Sequence, residues 1–131
     1  MGNEVENNFE EVILSDLSAK AQVSSKIDPE LYTKYEVKRG LRDADGRGVL
    51  VGLTEIGDVH SYIIDEGEMV PVPGRLTYRG INIKDIVNGF MEDGRFGFEE
   101  VTYLLLFGHL PNEKALNDFK KLLGMYQKLP E

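Results

Sequence analysis

Two histidines are the side chains of this 131-residue sequence best suited to move protons near neutral pH. A catalytic imidazole needs an acid, a base or a nucleophile within hydrogen-bond reach. His60 lies in a predicted strand beside Ser61 and Tyr62, and His109 fills the variable position of a Gly-x-Leu-Pro turn. Neither histidine has the acid, base or nucleophile beside it in the sequence that a catalytic imidazole needs. We therefore predict a cross-strand or exposed position for His60 and an exposed loop for His109.

Two pairs of adjacent carboxylates are the next candidates, because neighbouring carboxyl groups can divide acid and base roles between them. Glu99-Glu100 falls in the opening turn of a predicted helix, where negative charge suits the helix dipole. Asp65-Glu66 falls in a turn between predicted strands. We therefore interpret both pairs as solvated and non-catalytic. The absence of cysteine excludes disulfides and thiolate metal sites.

A basic, glycine-rich segment could bind an anion such as a phosphate. Its four cations are Lys38, Arg39, Arg42 and Arg47. The sequence leaves open the alternative of a solvated loop with local ion pairs. A further cation, Arg79, stands in the motif Tyr78-Arg79-Gly80, and we predict that it donates to carboxylate or carbonyl groups that fix the turn.

Composition limits the classes of function that the chain can have. The net charge of −8 and the isoelectric point near 4.8 disfavour binding to nucleic acid or to an anionic membrane surface. The first residues have neither a basic nor an apolar region of a secretory signal, and no apolar run is long enough to span a bilayer. Together with the lack of cysteine, this predicts a cytoplasmic protein.

The stretch from Leu76 to Pro111 organises the predicted fold. It begins as a strand and an Arg-Gly turn, followed by a helix capped by Asn82 and ended by Asp93-Gly94. Apolar residues recur on one face of that helix at Ile83, Ile86, Val87, Phe90 and Met91. The next helix, 98–107, has Gly97 as its N-cap and is apolar nearly all round, which predicts the interior of something larger.

The remaining elements are expected on either side of this stretch. Residues 1–26 form a polar lead-in that we predict to be helical, with a frayed terminus as the alternative. Asp28 and Pro29 open a short helix, and Asn112 caps a last helix that runs towards Pro130. We predict a β patch at about 49–79 with strands at 49–54, 59–64 and 75–78, interrupted by the breaks at 65–68 and 71–74.

Five short motifs follow one another along the chain. They are Lys38-Arg39-Gly40-Leu41-Arg42, Gly48-Val49-Leu50-Val51-Gly52-Leu53-Thr54, Leu76-Thr77-Tyr78-Arg79-Gly80-Ile81-Asn82-Ile83, Phe98-Glu99-Glu100-Val101-Thr102-Tyr103-Leu104-Leu105-Leu106 and Gly108-His109-Leu110-Pro111. In this order and spacing they resemble the N-terminal third of citrate synthases, most closely the bacterial branch. Each motif is weak alone, but their order and spacing are specific, and the resemblance covers residues 27–131.

The resemblance implies a mainly α fold of orthogonally packed helices with a small antiparallel β patch, a fragment of the large domain of a homodimeric acyltransferase. Members of the family condense acetyl-CoA with oxaloacetate to give citrate, and they need no metal. Their catalytic histidines and aspartate and their oxaloacetate-binding arginines lie C-terminal to the matched region. We therefore assign no catalytic, cofactor-binding or metal-binding residue. In the family, the Arg-Gly segment corresponding to 38–47 approaches CoA, which is a substrate.

Two functions of different class follow from the sequence. The first is the N-terminal part of a citrate synthase of the tricarboxylic acid cycle, inactive alone, with a 2-methylcitrate synthase as a variant within the family. The second is a stand-alone helical association module without enzymatic activity. The helix 98–107 and the inner face of the helix after Asn112 are not expected to be covered by so short a chain, which predicts self-association through exposed apolar helices.

Overall fold

The computed structural model describes residues 2–37, 49, 52–127 and 129. Within these residues the chain is mainly α-helical with one small antiparallel sheet, which confirms the predicted fold class. The elements in chain order are α1 (Gly2–Ser24), α2 (Pro29–Lys34), β1 (Gly57–Asp65), β2 (Glu68–Tyr78), β3 (Ile81–Asn82), α3 (Ile83–Glu92), α4 (Phe98–Phe107) and α5 (Glu113–Met125).

Three helices begin where the sequence provides a side-chain cap. The carboxylate of Asp28 accepts a hydrogen bond from the backbone N–H of Glu30 at 2.9 Å. The side-chain oxygens of Asn82 and Asn112 likewise accept from the first turns of α3 and α5. Each of these bonds satisfies a backbone donor that has no partner within its helix. Gly108 then ends α4 in the left-handed conformation, with φ of 83°.

The core lies where α1, α4 and α5 meet. Tyr103 and Leu104 of α4 are almost completely buried, and the ring of Tyr103 makes edge contacts with Phe107 and Phe119. The cluster of buried residues is Leu17, Tyr103, Phe107, Phe119 and Leu122. The lead-in segment is therefore a helix, as predicted, and it contributes to the core.

This packing corrects part of one expectation. The inner face of α5 is covered, since Leu116, Phe119 and Leu122 are buried. The buried side of α4 is covered as well, because α1 packs against both helices. The sequence alone did not reveal that α1 would supply this cover. The outer side of α4 stays exposed, as described below.

The sheet is a long two-stranded ribbon with a short third strand, in the order β1-β2-β3. Both of its turns contain two residues at positive φ, as type I′ hairpin turns require: Glu66-Gly67 and Arg79-Gly80. The ladder is irregular opposite the middle of β1, because His60 pairs with Arg75 while Tyr62 pairs with Pro71. Three residues of β2 are thereby accommodated opposite Ser61.

The structure differs from the predicted β patch in two respects. The predicted break at 71–74 is wrong, because β2 continues through Pro71 and Pro73. The predicted strand 49–54 is not a strand at residues 49 and 52–54, whereas residues 50 and 51 lie outside the described part. The helix α5 also ends at Met125, before the predicted end at Pro130, which lies outside the described part.

Candidate functional site

Among the described residues that the sequence indicated as candidates, Arg79 makes the most extensive set of polar contacts. Its Nε and Nη2 donate to the carbonyl oxygen of Leu105 at 3.1 and 2.8 Å, and its Nη1 donates to the carbonyl oxygen of Ser24 at 3.2 Å. Ser24 is the last residue of α1, and Leu105 lies in the last turn of α4. The guanidinium thus sits at the negative ends of two helix dipoles. We call this contact the arginine junction.

The backbone at the arginine junction holds a conformation that arginine rarely adopts. Arg79 has φ of 48° at the first position of the two-residue turn, where glycine, asparagine or aspartate is usual. Its backbone N–H also donates to the carbonyl oxygen of Ile56 at 2.9 Å. The prediction that Arg79 donates to carbonyl groups is confirmed. Its acceptors, however, lie in distant helices, so the residue joins the sheet to the helical core.

A second contact strengthens the same junction from the helical side. The hydroxyl of Ser24 donates to the carbonyl oxygen of Leu106 at 2.7 Å. A Cβ atom added at Gly108 would lie 3.3 Å from the Cβ of Ser24, so the glycine allows the ends of α1 and α4 to approach closely. The C-termini of the two helices are therefore fastened together both by polar bonds and by contact.

The carboxylate pair Glu99-Glu100 behaves differently from its prediction. Glu100 is buried, with 8% of its surface exposed, and its carboxylate is paired with the Nη1 of Arg95. The guanidinium of Arg95 also contacts Asp93 at 2.9 Å. Helix-dipole matching does not require burial, so the solvated interpretation is wrong for Glu100. The guanidinium of Arg95 compensates the buried negative charge of Glu100.

The ion pair of Glu100 lines a polar cleft of about 440 Å³ between the start of α4 and the start of α5. The hydrogen bond to Asp93, followed by the one to Glu100, raises the pKa of Arg95 above its ordinary value. An arginine held in this way remains protonated and occupied by two carboxylates. The arrangement suits a structural clamp between the loop before α4 and the helix itself.

A third polar group lies in the cleft between α1, α4 and α5. The Nζ of Lys20 donates to the hydroxyl of Tyr103 at 3.0 Å and contacts Asp16 at 2.8 Å. The hydrogen bond to Asp16, and then the one to Tyr103, raises the pKa of Lys20 above its ordinary value. The tyrosine ring is in the core, so this lysine satisfies its buried hydroxyl.

The two histidines are not brought together. His60 lies in β1 opposite Arg75, and His109 lies in the exposed loop after α4 with its Nδ1 2.9 Å from the carbonyl oxygen of Phe107. Both positions agree with the predictions. Within the described residues, no group of three or more histidine, aspartate or glutamate side chains is arranged to hold a metal ion.

Several predictions lie outside the described part of the chain. The basic segment with Lys38, Arg39, Arg42 and Arg47 lies outside the described residues, so its contact with CoA stays a prediction. The pair Asp65-Glu66 is described, and it occupies the exposed turn between β1 and β2, as predicted.

Of the helices described, none is long and apolar enough to cross a bilayer.

Large apolar side chains remain exposed at the end of α3, in the loop that follows it and in α4. Phe98 and Leu106 of α4 expose 74% and 52% of their surface. Met91 at the end of α3 and Phe96 in the loop that follows are exposed as well. We call this set the outer helical face. Large apolar side chains that are exposed to this extent are typical of surfaces that are buried in a larger assembly.

These features define a helical scaffold with an attached antiparallel ribbon. The charged side chains of Arg79, Arg95 and Lys20 all form structural contacts within it. The chain belongs to the citrate synthase family: a family model described as the C-terminal domain of citrate synthase matches residues 40–131. The family predicted from the motifs is thereby confirmed. The position of this segment in the N-terminal third of a complete enzyme stays a prediction.

Curated relatives give the same family. The chain is 44% identical over 59 residues to a citrate synthase of Saccharolobus solfataricus, covering 44% of this chain and 14% of the relative. It is 33% identical over 94 residues to 2-methylcitrate synthase 1 of Corynebacterium glutamicum, covering 72% and 19%. It is 29% identical over 122 residues to a 2-methylcitrate synthase of Mycobacterium tuberculosis, covering 85% and 26%.

The chain therefore spans about a quarter or less of the length of the curated relatives that it matches. A comparison with solved structures finds no match.

Sequence reasoning missed two structural residues of the site region. Lys20 lies in the lead-in segment, for which the sequence predicted only a helix. Arg95 lies in the loop before α4, for which the sequence predicted no role. A signal for Arg95 existed, since it lies between Asp93 and Glu100 in the sequence. For Lys20 no local signal points to Tyr103, which is 83 residues away.

Proposed function

We propose that this chain is scaffold from the N-terminal part of a citrate synthase or 2-methylcitrate synthase, and that it does not catalyse the reaction alone. In the complete enzyme, an acyl-CoA would be condensed with oxaloacetate in the cytoplasm by a homodimer. The relatives support either acyl group, because both names occur among them. Their much greater length supports the view that the reacting groups lie elsewhere.

The observation that carries this proposal is that three half-buried cations already form structural bonds within the chain. Arg79 is bound to helix carbonyl oxygens, Arg95 to two carboxylates, and Lys20 to Asp16 and Tyr103. A dicarboxylate such as oxaloacetate needs cations that are available to it. Groups already committed to structural bonds would have to break those bonds first, which supports a scaffold role.

Two measurements test the proposal. The purified chain is mixed with oxaloacetate and either acetyl-CoA or propionyl-CoA, and the release of free CoA is followed; we expect no release above the blank. Turnover abolished by a single substitution at His60 or His109 would contradict the scaffold role.

The second measurement gives a positive result if the proposal is correct. Residues 40–131 replace the corresponding segment of the Saccharolobus citrate synthase, and the chimaera is expected to retain citrate formation. The matched control carries Leu104→Asp in the same chimaera, which should lose activity together with its folded core. An inactive chimaera that is folded by circular dichroism would count against the assignment.

The outer helical face favours a second candidate, a helical module that associates with itself. Phe98 and Leu106 are exposed on one helix, and their burial against another copy would remove apolar area from water. Light scattering is expected to show association that is weakened in the double variant Phe98→Ser/Leu106→Ser. The matched control is Val23→Ser, which removes an equally exposed apolar side chain from α1. A monomeric parent chain would contradict this candidate.

A further inference from the structure

The outer edge of β1 has the features of a strand-pairing surface. Among the described residues, β1 pairs with β2 alone, so one side of its nine-residue backbone has no strand beside it. A strand edge of this kind presents a row of N–H and C=O groups that can pair with another chain. The feature is independent of the outer helical face, because it belongs to a different element.

The ribbon also lacks cover on its faces. Val59 exposes 77% of its surface, and Ile63, Ile64 and Met69 are exposed as well. Isolated two-stranded ribbons are marginally stable in water, and a third strand is the usual remedy. A partner strand on the β1 edge would place its own side chains beside the exposed apolar side chains of β1 on each face.

The two strands of the ribbon differ in how they are guarded against such pairing. β2 carries Pro71 and Pro73 together with the irregularity opposite Ser61, and these are devices that block strand addition. β1 has no proline, no lysine and no inserted residue. Its carboxylates, Asp58 and Asp65, lie near its two ends. The central part of the edge is therefore free of the features that normally prevent pairing.

The sequence of β1 is complementary to itself in the register that pairs all nine of its residues. A two-fold axis at Ser61 places Val59 opposite the partner's Ile63, and His60 opposite the partner's Tyr62. Asp58 then faces the partner's Ile64, and Asp65 faces the partner's Gly57. No two like charges stand directly opposite each other, and an apolar Val59–Ile63 pair lies on each side of the central Ser61 pair.

We propose that β1 pairs with β1 of a second copy of this chain, antiparallel and in this register, which joins the two ribbons into one continuous sheet. The occupant is a second copy because the same strand supplies both the apolar pairs and the separation of the carboxylates. The net charge of −8 opposes association at low salt. Added salt should therefore strengthen the dimer.

A charge exchange on the two facing positions tests the register. In Val59→Lys/Ile63→Lys, two like-charged pairs form across the axis, and we expect the dissociation constant from sedimentation velocity to rise about tenfold or more. In Val59→Lys/Ile63→Asp, the same positions become opposite charges, and dimerisation should be restored. Both positions are exposed in one copy, so neither variant alters the core.

Met69→Lys is the matched control, because it removes an exposed apolar residue of the ribbon from β2 and leaves the β1 edge unchanged. We expect it to dimerise as the parent chain does. Weakening by Met69→Lys equal to that of Val59→Lys/Ile63→Lys would indicate stacking of ribbon faces and overturn the proposal. Equal dissociation constants for the two charge variants, or a parent chain that stays monomeric in high salt, would overturn it as well.

The result is separable from the proposed function. Citrate formation by the chimaera reports on the scaffold role and does not depend on β1 pairing in the isolated chain. The double variant Phe98→Ser/Leu106→Ser removes the apolar side chains of the outer helical face from α4. If this variant still forms a dimer, the charge exchange at Val59 and Ile63 shows whether that dimer forms through the ribbon. A parent chain that stays monomeric would overturn both association proposals, whereas the chimaera tests the scaffold role separately.

Discussion

The helical unit and the ribbon solve the problem of apolar surface in opposite ways. In the helical unit, α1, α4 and α5 bury aromatic and aliphatic side chains against each other, and each buried polar side-chain atom of the described residues has a hydrogen-bond partner. In the ribbon, apolar side chains of β1 and β2 remain exposed on both faces. The comparison indicates that the helical unit can support its own fold, while the ribbon depends on neighbours.

The arginine junction connects these two regions. It lies in the turn between β2 and β3, yet its acceptors are the carbonyl oxygens at the ends of α1 and α4. Arginine is long enough to reach both helices from one turn, and its planar donors can engage two carbonyl groups together. The ribbon is thus attached to the core through a polar contact at one end.

The largest expected effect comes from truncating the core and the ribbon in the same way. Leu104→Ala should lower the free energy of unfolding by about 3 kcal/mol, because Leu104 is completely buried and a cavity would remain. Ile64→Ala in β1 should change it by about 0.5 kcal/mol or less, since Ile64 is exposed. Urea unfolding followed by circular dichroism measures both. Equal losses would break the distinction between the two regions.

The arginine junction gives the next effect. Arg79→Met should destabilise the chain by about 2 kcal/mol, because the bonds to two helix ends are lost while the left-handed backbone is kept. Arg79→Asn loses the same bonds but suits a positive φ, so it should be less destabilising by about 1 kcal/mol. Thermal unfolding of both variants measures the difference. An asparagine variant as stable as the parent would show that the guanidinium contributes nothing.

Substitutions in the Arg95–Glu100 ion pair at the start of α4 should lower stability by a smaller amount, and the loss should depend on which partner is replaced. Arg95→Met leaves the buried carboxylate of Glu100 without its partner and should lower the free energy of unfolding more than Glu100→Gln does. Glu100→Gln removes the buried charge and leaves Arg95 paired with Asp93, so the loss should be about 1 kcal/mol or less. Chemical unfolding at low and at high salt compares them. The reverse order would mean that the arginine is the costlier group to leave unpaired.

The sequence predicted those elements whose signals are local. The caps Asp28, Asn82 and Asn112 and the glycine that ends α4 act within a few residues, and all are in place. The break at Pro71 and Pro73 was wrong because proline is excluded only where its missing N–H is needed. Among the described residues, that part of β2 pairs with β1 alone, and Pro73 lies within the irregularity of the ladder.

The polar contacts of the candidate site were predicted less well, because most of them join distant residues. Arg79 was expected to fix its own turn, but its acceptors lie 26 and 55 residues away. Helix-dipole reasoning placed Glu100 correctly in the first turn of α4 and could not indicate that the side chain is buried. Burial is decided by α5 and the loop at Arg95, which only the folded chain brings together.

The smallest effect concerns the lysine that satisfies the buried Tyr103 hydroxyl. The pKa of Lys20 is raised in the folded chain, so its contribution to stability is complete below an unfolded pKa of about 10.4 and is lost as the pH rises through the higher folded value. We expect Lys20→Met to reduce stability at pH 8 and to flatten the decline above pH 10, measured by urea midpoints across that range. Lys114→Met is the matched control, because Lys114 also pairs with an aspartate four residues along its helix but is largely exposed. If both variants decline as the parent does, the bond to Tyr103 adds nothing to the helical unit, and the packing of its apolar side chains alone distinguishes it from the ribbon.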